Sequence, residues 1–165
     1  RNIKNIAYEI KQANRISIMN KPFSSPCYMS EFEEQAIHTC LTQSKNIALV
    51  GASPKPELAA YEVMQYLLQH NYKIFPINPK YQGEDILGQK VYADILDVPE
   101  MIGMIDVFRP SREALEITKK AIKAKIPYVW LQLGIENQEA KKIAEDSGII
   151  MIMNRCTLIE HKKRL

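Results

Sequence analysis

The sequence predicts an α/β fold: a single doubly wound, mostly parallel, Rossmann-like sheet with helices on both faces. Three observations predict it. Apolar runs recur at 46–50, 73–78, 103–108, 128–133 and 149–153, near-continuous as in strands buried on both faces. Segments with apolar residues at helical spacing separate most of these runs. Gly, Pro or Asn punctuates the junctions. Strands alternating with helices pair in parallel through right-handed crossovers.

Taken in order, Ser30 followed by Glu33 reads as a capping box. Ala36, Ile37, Cys40 and Leu41 behind it share one helical face. The folded domain is therefore expected to span 29–165. Residues 1–28 hold Arg1, Lys4, Lys11, Arg15 and Lys21 against the single acid Glu9. They lack sustained periodicity and are expected to form a basic appendage; a targeting leader would be richer in Arg. The first strand, 46–50, ends in Gly51-Ala52-Ser53-Pro54. Ala60, Val63, Met64, Leu67 and Leu68 then form a helical stripe. The second strand contains Pro76, which cannot donate to a ladder and so points to a sheet edge. Residues 79–100 read as irregular, with a brief strand around Val91. After the third main strand, Ser111 is expected to cap a helix facing inward through Ala114, Leu115, Thr118, Ala121 and Ile122, stopped by Pro127. Following the fourth strand, Asn137 opens a helix carrying Ala140, Ile143 and Ala144, and Gly148 ends it. The fifth strand leads into a charged tail, 160–164, expected to be solvated.

Composition narrows the function. The 165 residues are 46% apolar and 25% charged, which suits one globular domain rather than a disordered chain. Twenty-two basic and nineteen acidic residues leave a net charge of +3, far from a dedicated nucleic-acid binder. The aromatic residues are not interleaved with basic ones as a single-strand stacking platform requires. No apolar run approaches the ~20 residues of a membrane-spanning helix. Cys27, Cys40 and Cys156 form no CxxC pair, and an odd count excludes a full disulfide framework. Free thiols in a cytoplasmic setting are the expectation.

Open parallel sheets bind ligands at the carboxyl ends of their strands, which directs attention to four loops. Gly51 lets backbone approach a phosphate, and Ala52, Ser53 and Lys55 follow it, ahead of a helix N-terminus. This is not GxGxxG, since Ser53 and Pro56 replace the later glycines. At the second strand end stand Asn78, Pro79 and Lys80, where an NAD site has an acid. A lysine suits a phosphate on ribose, as in NADP or coenzyme A. Val107 and Phe108 offer an apolar wall, and the Arg109 fork matches phosphate oxygens or pairs with Asp106 or Glu113. Gln132 and Gly134 end the fourth strand.

Together, Val50-Gly51-Ala52-Ser53, Pro76-Ile77-Asn78-Pro79-Lys80, Ile86-Leu87-Gly88, Asp106-Val107-Phe108-Arg109, Val129-Trp130-Leu131-Gln132-Leu133-Gly134 and Arg155-Cys156 resemble, in this order, the small stand-alone CoA-binding proteins. These look like the CoA-binding domain of succinyl-CoA synthetase α subunits and of ADP-forming acyl-CoA synthetases. The resemblance implies that Gly51, Ala52 and Ser53 meet the ligand's phosphates and that Lys80 holds one more. It implies that Val107, Phe108 and Arg109 hold the adenine end or the adjoining phosphates, and that Gln132 and Gly134 line the far wall near the pantetheine. Relatives commonly read Asp-Arg-Cys where this chain has Asn154-Arg155-Cys156.

A CoA ligase of this lineage adds a domain with a phosphorylated histidine and an ATP-grasp partner. His38, His70 and His161 show no nucleophile arrangement. The expectation is therefore non-catalytic binding of CoA or an acyl-CoA, by a protein alone or docked to a partner enzyme. An NADP-dependent oxidoreductase is the alternative, although no Tyr-x-x-x-Lys arrangement supplies its proton donor.

Overall fold

The computed structural model describes residues 26–165, so all but the last three residues of the expected appendage, 1–28, lie outside the described residues. Five parallel strands form the sheet: β1 (Asn46–Val50), β2 (Lys73–Ile77), β5 (Met104–Val107), β6 (Tyr128–Leu131) and β7 (Ile150–Ile152). A separate antiparallel hairpin pairs β3 (Asp85–Ile86) with β4 (Gln89–Lys90). The order across the sheet is β2-β1-β5-β6-β7. The helices are α1 (Pro26–Gln43), α2 (Ala59–Gln69), α3 (Ala114–Ala124), α4 (Gln138–Asp146) and α5 (Thr157–Arg164).

Strand parity divides the core in two. Ile47, Leu49, Met104, Tyr128 and Trp130 point to one face, where α1 and α2 contribute Ile37, Leu41, Met64 and Leu67. Ala48, Val50, Ile105, Val107, Val129 and Leu131 point to the other, against Ala114, Ile117 and Ala121 of α3 and Ala140 and Ala144 of α4. The small residues at these helix positions let the backbones lie close to the sheet.

Pro76 sits on the edge strand, as its chemistry requires. The Pro76 carbonyl faces outward and accepts from the Tyr92 amide at 2.9 Å. Its missing N–H therefore faces the same way, and the ladder to β1 loses nothing. Asn78 N–H donates to the Tyr92 carbonyl at 2.9 Å, so Tyr92 lies alongside this edge. Asn137 caps α4 as expected, accepting from the Ala140 amide at 2.8 Å.

Four expectations need correction. The helix α1 spans Pro26–Gln43 and includes Ser30, so Ser30 is not its cap. Ser111 does not cap α3. It opens a 3-10 turn, Ser111–Glu113, and its hydroxyl accepts from the Glu136 amide at 3.2 Å. The brief strand near Val91 is instead the β3–β4 hairpin, turned by Leu87 and Gly88 at φ 50° and 76°, both left-handed as a two-residue hairpin of type I′ demands. The charged tail is the helix α5. Thr157, Glu160 and His161 are buried on it, because their spacing of three and four turns all of them inward.

Candidate functional site

The chain leaves β1 for β2 on one side and then crosses to β5 on the other. This places the topological switch point between β1 and β5, the position where such sheets open a ligand crevice beyond the strand ends. The loops there are 51–58 and 108–110.

Gly51 joins them. Its φ is +92°, a region that L side chains rarely adopt. A Cβ built on it would lie 3.0 Å from Arg109 Cδ and 3.2 Å from the Phe108 carbonyl carbon and oxygen. Only glycine lets the loop after β5 lie against the loop after β1. The Gly51 and Ala52 amides donate to the Ile77 carbonyl, at 3.0 and 3.3 Å, which also ties β2's end to this rim. Asn78 tightens that tie. Its side-chain amide donates to the Ala52 carbonyl at 2.8 Å, while its Oδ1 accepts from the Lys80 amide at 3.0 Å. Ala52 and Ser53 are buried, and the Ser53 hydroxyl accepts from the Lys55 amide at 3.3 Å.

Three cations belong to this rim. Lys55 and Lys80 are exposed, and the Lys80 ammonium lies 5.3 Å from the centroid of the Tyr81 ring. Pro79 opens the turn that carries Lys80. Arg109 is exposed and forms a two-point ion pair with Glu113, Nε to Oε2 at 2.8 Å and Nη2 to Oε1 at 2.9 Å. Of the two acids named from sequence, Glu113 is the partner. The pairing holds Glu113 below the usual carboxylate range and raises the Arg109 guanidinium further.

The remaining predicted residues divide. Phe108 is half-buried beside the crevice, packed on the α1–α2 core. Val107 is wholly buried against the α3–α4 face, so its side chain does not reach the rim. Gln132 shares the parity of Tyr128 and Trp130 and turns inward. Its Nε2 donates to Asp106 Oδ1 at 2.7 Å and to Thr157 Oγ1 at 2.8 Å. Thr157 in turn donates to Asp106 Oδ2 at 2.9 Å, closing a ring of three side chains. Gly134 is exposed, with its amide donating to Asn154 Oδ1 at 2.8 Å. An oxygen serves there whether the residue is Asn or Asp.

His70 and His161 lie at the opposite end of the sheet, around Tyr66 and the residue preceding β2. Tyr66 hydroxyl and His161 Nδ1 are 2.9 Å apart, and the His70 ring stacks on Tyr66 at 4.0 Å. Cys156 is half-buried at the N-cap of α5, beside Arg155, whose guanidinium pairs with Glu33 and Glu160. Among the described residues, no helix is long and apolar enough to cross a membrane.

A parallel sheet whose switch point is framed by a glycine turn, a lysine-bearing turn and an arginine defines a class, the nucleotide-binding doubly wound domains. Within that class the chain belongs to the CoA-binding domain family, whose model matches residues 45–162. It is similar to a protein of known structure from Pyrococcus horikoshii OT3, with TM-score 0.76, 44% identity, and coverage of 79% of this chain and 91% of that one. It is 29% identical over 125 residues to the uncharacterized protein YneT of Bacillus subtilis, covering 76% of this chain and 91% of YneT. It is also 29% identical over 113 residues to the alpha subunit of the ADP-forming acetate–CoA ligase I of Pyrococcus furiosus, covering 64% of this chain and 24% of that subunit. The chain thus corresponds to about a quarter of the ligase subunit. Of the two enzyme groups named in the sequence resemblance, the relation is to the ADP-forming acyl-CoA ligases, here acetate–CoA ligases, and not specifically to succinyl-CoA synthetase α subunits.

Proposed function

We propose that the chain binds coenzyme A, free or acylated, across the β1–β5 switch point and does not transform it. One observation carries the reading: in a CoA-binding domain, Arg109 packs directly on Gly51, and Asn78 fastens the Lys80 turn to the same loop. The ligand is a polyanion, and this rim gathers Lys55, Lys80 and Arg109. Gly51 contributes the absence of a side chain rather than its amide, which Ile77 already occupies. Lys80 takes the ribose phosphate, Arg109 and Ser53 the diphosphate side, and Phe108 the adenine. Gly134 and its neighbours meet the pantetheine arm. The histidines packed around Tyr66 lie at the opposite end of the sheet from this rim, which supports binding without chemistry. A partner enzyme would then receive or deliver the ligand.

Each charge-assisted hydrogen bond is worth about 1.5–3 kcal/mol. Lys80→Ala and Arg109→Ala should therefore each weaken CoA binding tenfold or more in titration calorimetry. Affinities equal to that of the parent protein would overturn the assignment. Native mass spectrometry of the purified protein separates CoA from NADP: an adduct of CoA mass is expected, and one of NADP mass would favour the oxidoreductase alternative.

A further inference from the structure

Asp106 is a carboxyl with no exposure to solvent, one residue inside the Val107–Phe108–Arg109 strand end. Its parity turns it to the face shared by α1, α2 and α5. Both of its oxygens are bonded, one to Gln132 and one to Thr157, and Gln132 also donates to Thr157. These partners belong to three different parts of the rim: the end of β5, the loop that leads from β6 to Gly134, and the first residue of α5. Beside Asp106 in the sheet register is Trp130, whose indole N–H donates to the Arg155 carbonyl at 2.7 Å, just before α5.

We propose that Asp106 is a positioning residue of the ligand rim and that it takes up a proton when the polyanionic ligand binds. The inference rests on the CoA reading for the identity of the polyanion. The charges around Asp106 support it. Its two partners are neutral. From α1, the titratable neighbour is Cys40, itself buried and held as a neutral thiol by that burial. On β6, Tyr128 is a buried phenol pushed upward by desolvation. The inward face of α2 is Ala60, Val63, Met64 and Leu67. On α5, Glu160 is paired with Arg155 and Arg164, and His161 with Tyr66. Burial without a paired cation pushes the carboxyl up to about 7, against the lowering effect of the two hydrogen bonds. A group poised there responds to a small added potential. Phosphates bound at the adjoining strand ends favour its neutral form. By linkage, a one-unit rise on binding is about a tenfold fall in CoA affinity as pH climbs through that range.

The test uses CoA and the full chain. Calorimetry at pH 7 in phosphate and in Tris, buffers of different ionisation enthalpy, should show net proton uptake by the wild type and less by Asp106→Asn, an isostere able to keep the ring bonded. Trp130, the single tryptophan, gives a second readout without ligand. Its emission should titrate near pH 7, and the midpoint should rise when CoA is saturating. Thr157→Val, which removes one donor to the carboxyl, should raise the unliganded midpoint even if Asp106→Asn fails to fold. Proton uptake unchanged in Asp106→Asn, or a midpoint indifferent to both CoA and Thr157→Val, would overturn the proposal. Absence of CoA binding would instead overturn the functional reading, while the unliganded titration still decides whether Asp106 ionises near neutrality.

Discussion

At Gly51, one absent side chain sets the geometry of the rim. Alanine there is strained by φ +92° and meets the Phe108 carbonyl and the Arg109 stem. Gly51→Ala should cost about 1–3 kcal/mol of stability in urea unfolding, and CoA affinity should fall by more than tenfold as the loop after β5 is pushed away. Unchanged affinity would show that the two loops need not touch. Much at this scale was legible in the sequence. Gly51, Asn78, Lys80 and Arg109 stand at strand ends, and the topology rule alone selects them. The inward turn of Gln132 was missed, although the signal was present: counting by twos from Tyr128 through Trp130 reaches Gln132, and the same count from Met104 reaches Asp106. A polar residue extending a buried parity needs a buried partner, and each is the other's. What no local pattern contained is Thr157, which arrives from the far end of the chain.

Among the elements, α5 was least legible. Its buried residues are Thr157, Glu160 and His161, so the inward stripe is polar and escapes any search for apolar periodicity. Charges hold it instead. Glu160 accepts from Arg155 and Arg164, and those arginines also reach Glu33 and Glu34 of α1. Glu160→Ala should lower stability by about 2 kcal/mol in chemical denaturation, with a matching change in Trp130 emission if α5 loosens. His161 adds a pH dependence. Burial, then His70 and Lys45, hold its imidazole below the ordinary 6.5. Above 6.5 the group is neutral in both folded and unfolded chains and costs nothing. As pH falls through 6.5 towards the lower folded value, the unfolded chain takes its proton first and stability drops. Between pH 7.5 and 5.5 this lowers the melting temperature, against the rise that protonation of buried Asp106 brings over the same range, so His161→Gln should leave the melting temperature climbing more steeply towards acid. An identical slope in the variant would remove His161 from the account. The β3–β4 hairpin escaped notice for another reason: two-residue strands are too short to show alternation, and Leu87 hides a left-handed turn position that usually announces itself by Asn or Asp.

For the whole molecule, the long parallel strands were readable because burial on both faces makes them nearly all apolar. Their order was not, since sequence does not say on which side of β1 the chain returns. That order creates the switch point, and hence the site. A ligand that binds only the folded state stabilises it by about 2.7 kcal/mol at a hundredfold excess over Kd. CoA should therefore raise the melting temperature by about 5–10 °C in a thermal scan. The increase should shrink at high ionic strength, because exposed cations on the rim are screened. A rise indifferent to salt would argue that charge contributes little to recognition.

The β2 margin has a consequence for self-association. With Tyr92 already bonded along its carboxyl end and Pro76 lacking a hydrogen to share, an incoming foreign strand finds a shortened template there. Copies of this chain that joined their sheets into a continuous ribbon would gain few bonds on that flank, so polymer growth by strand addition is disfavoured there.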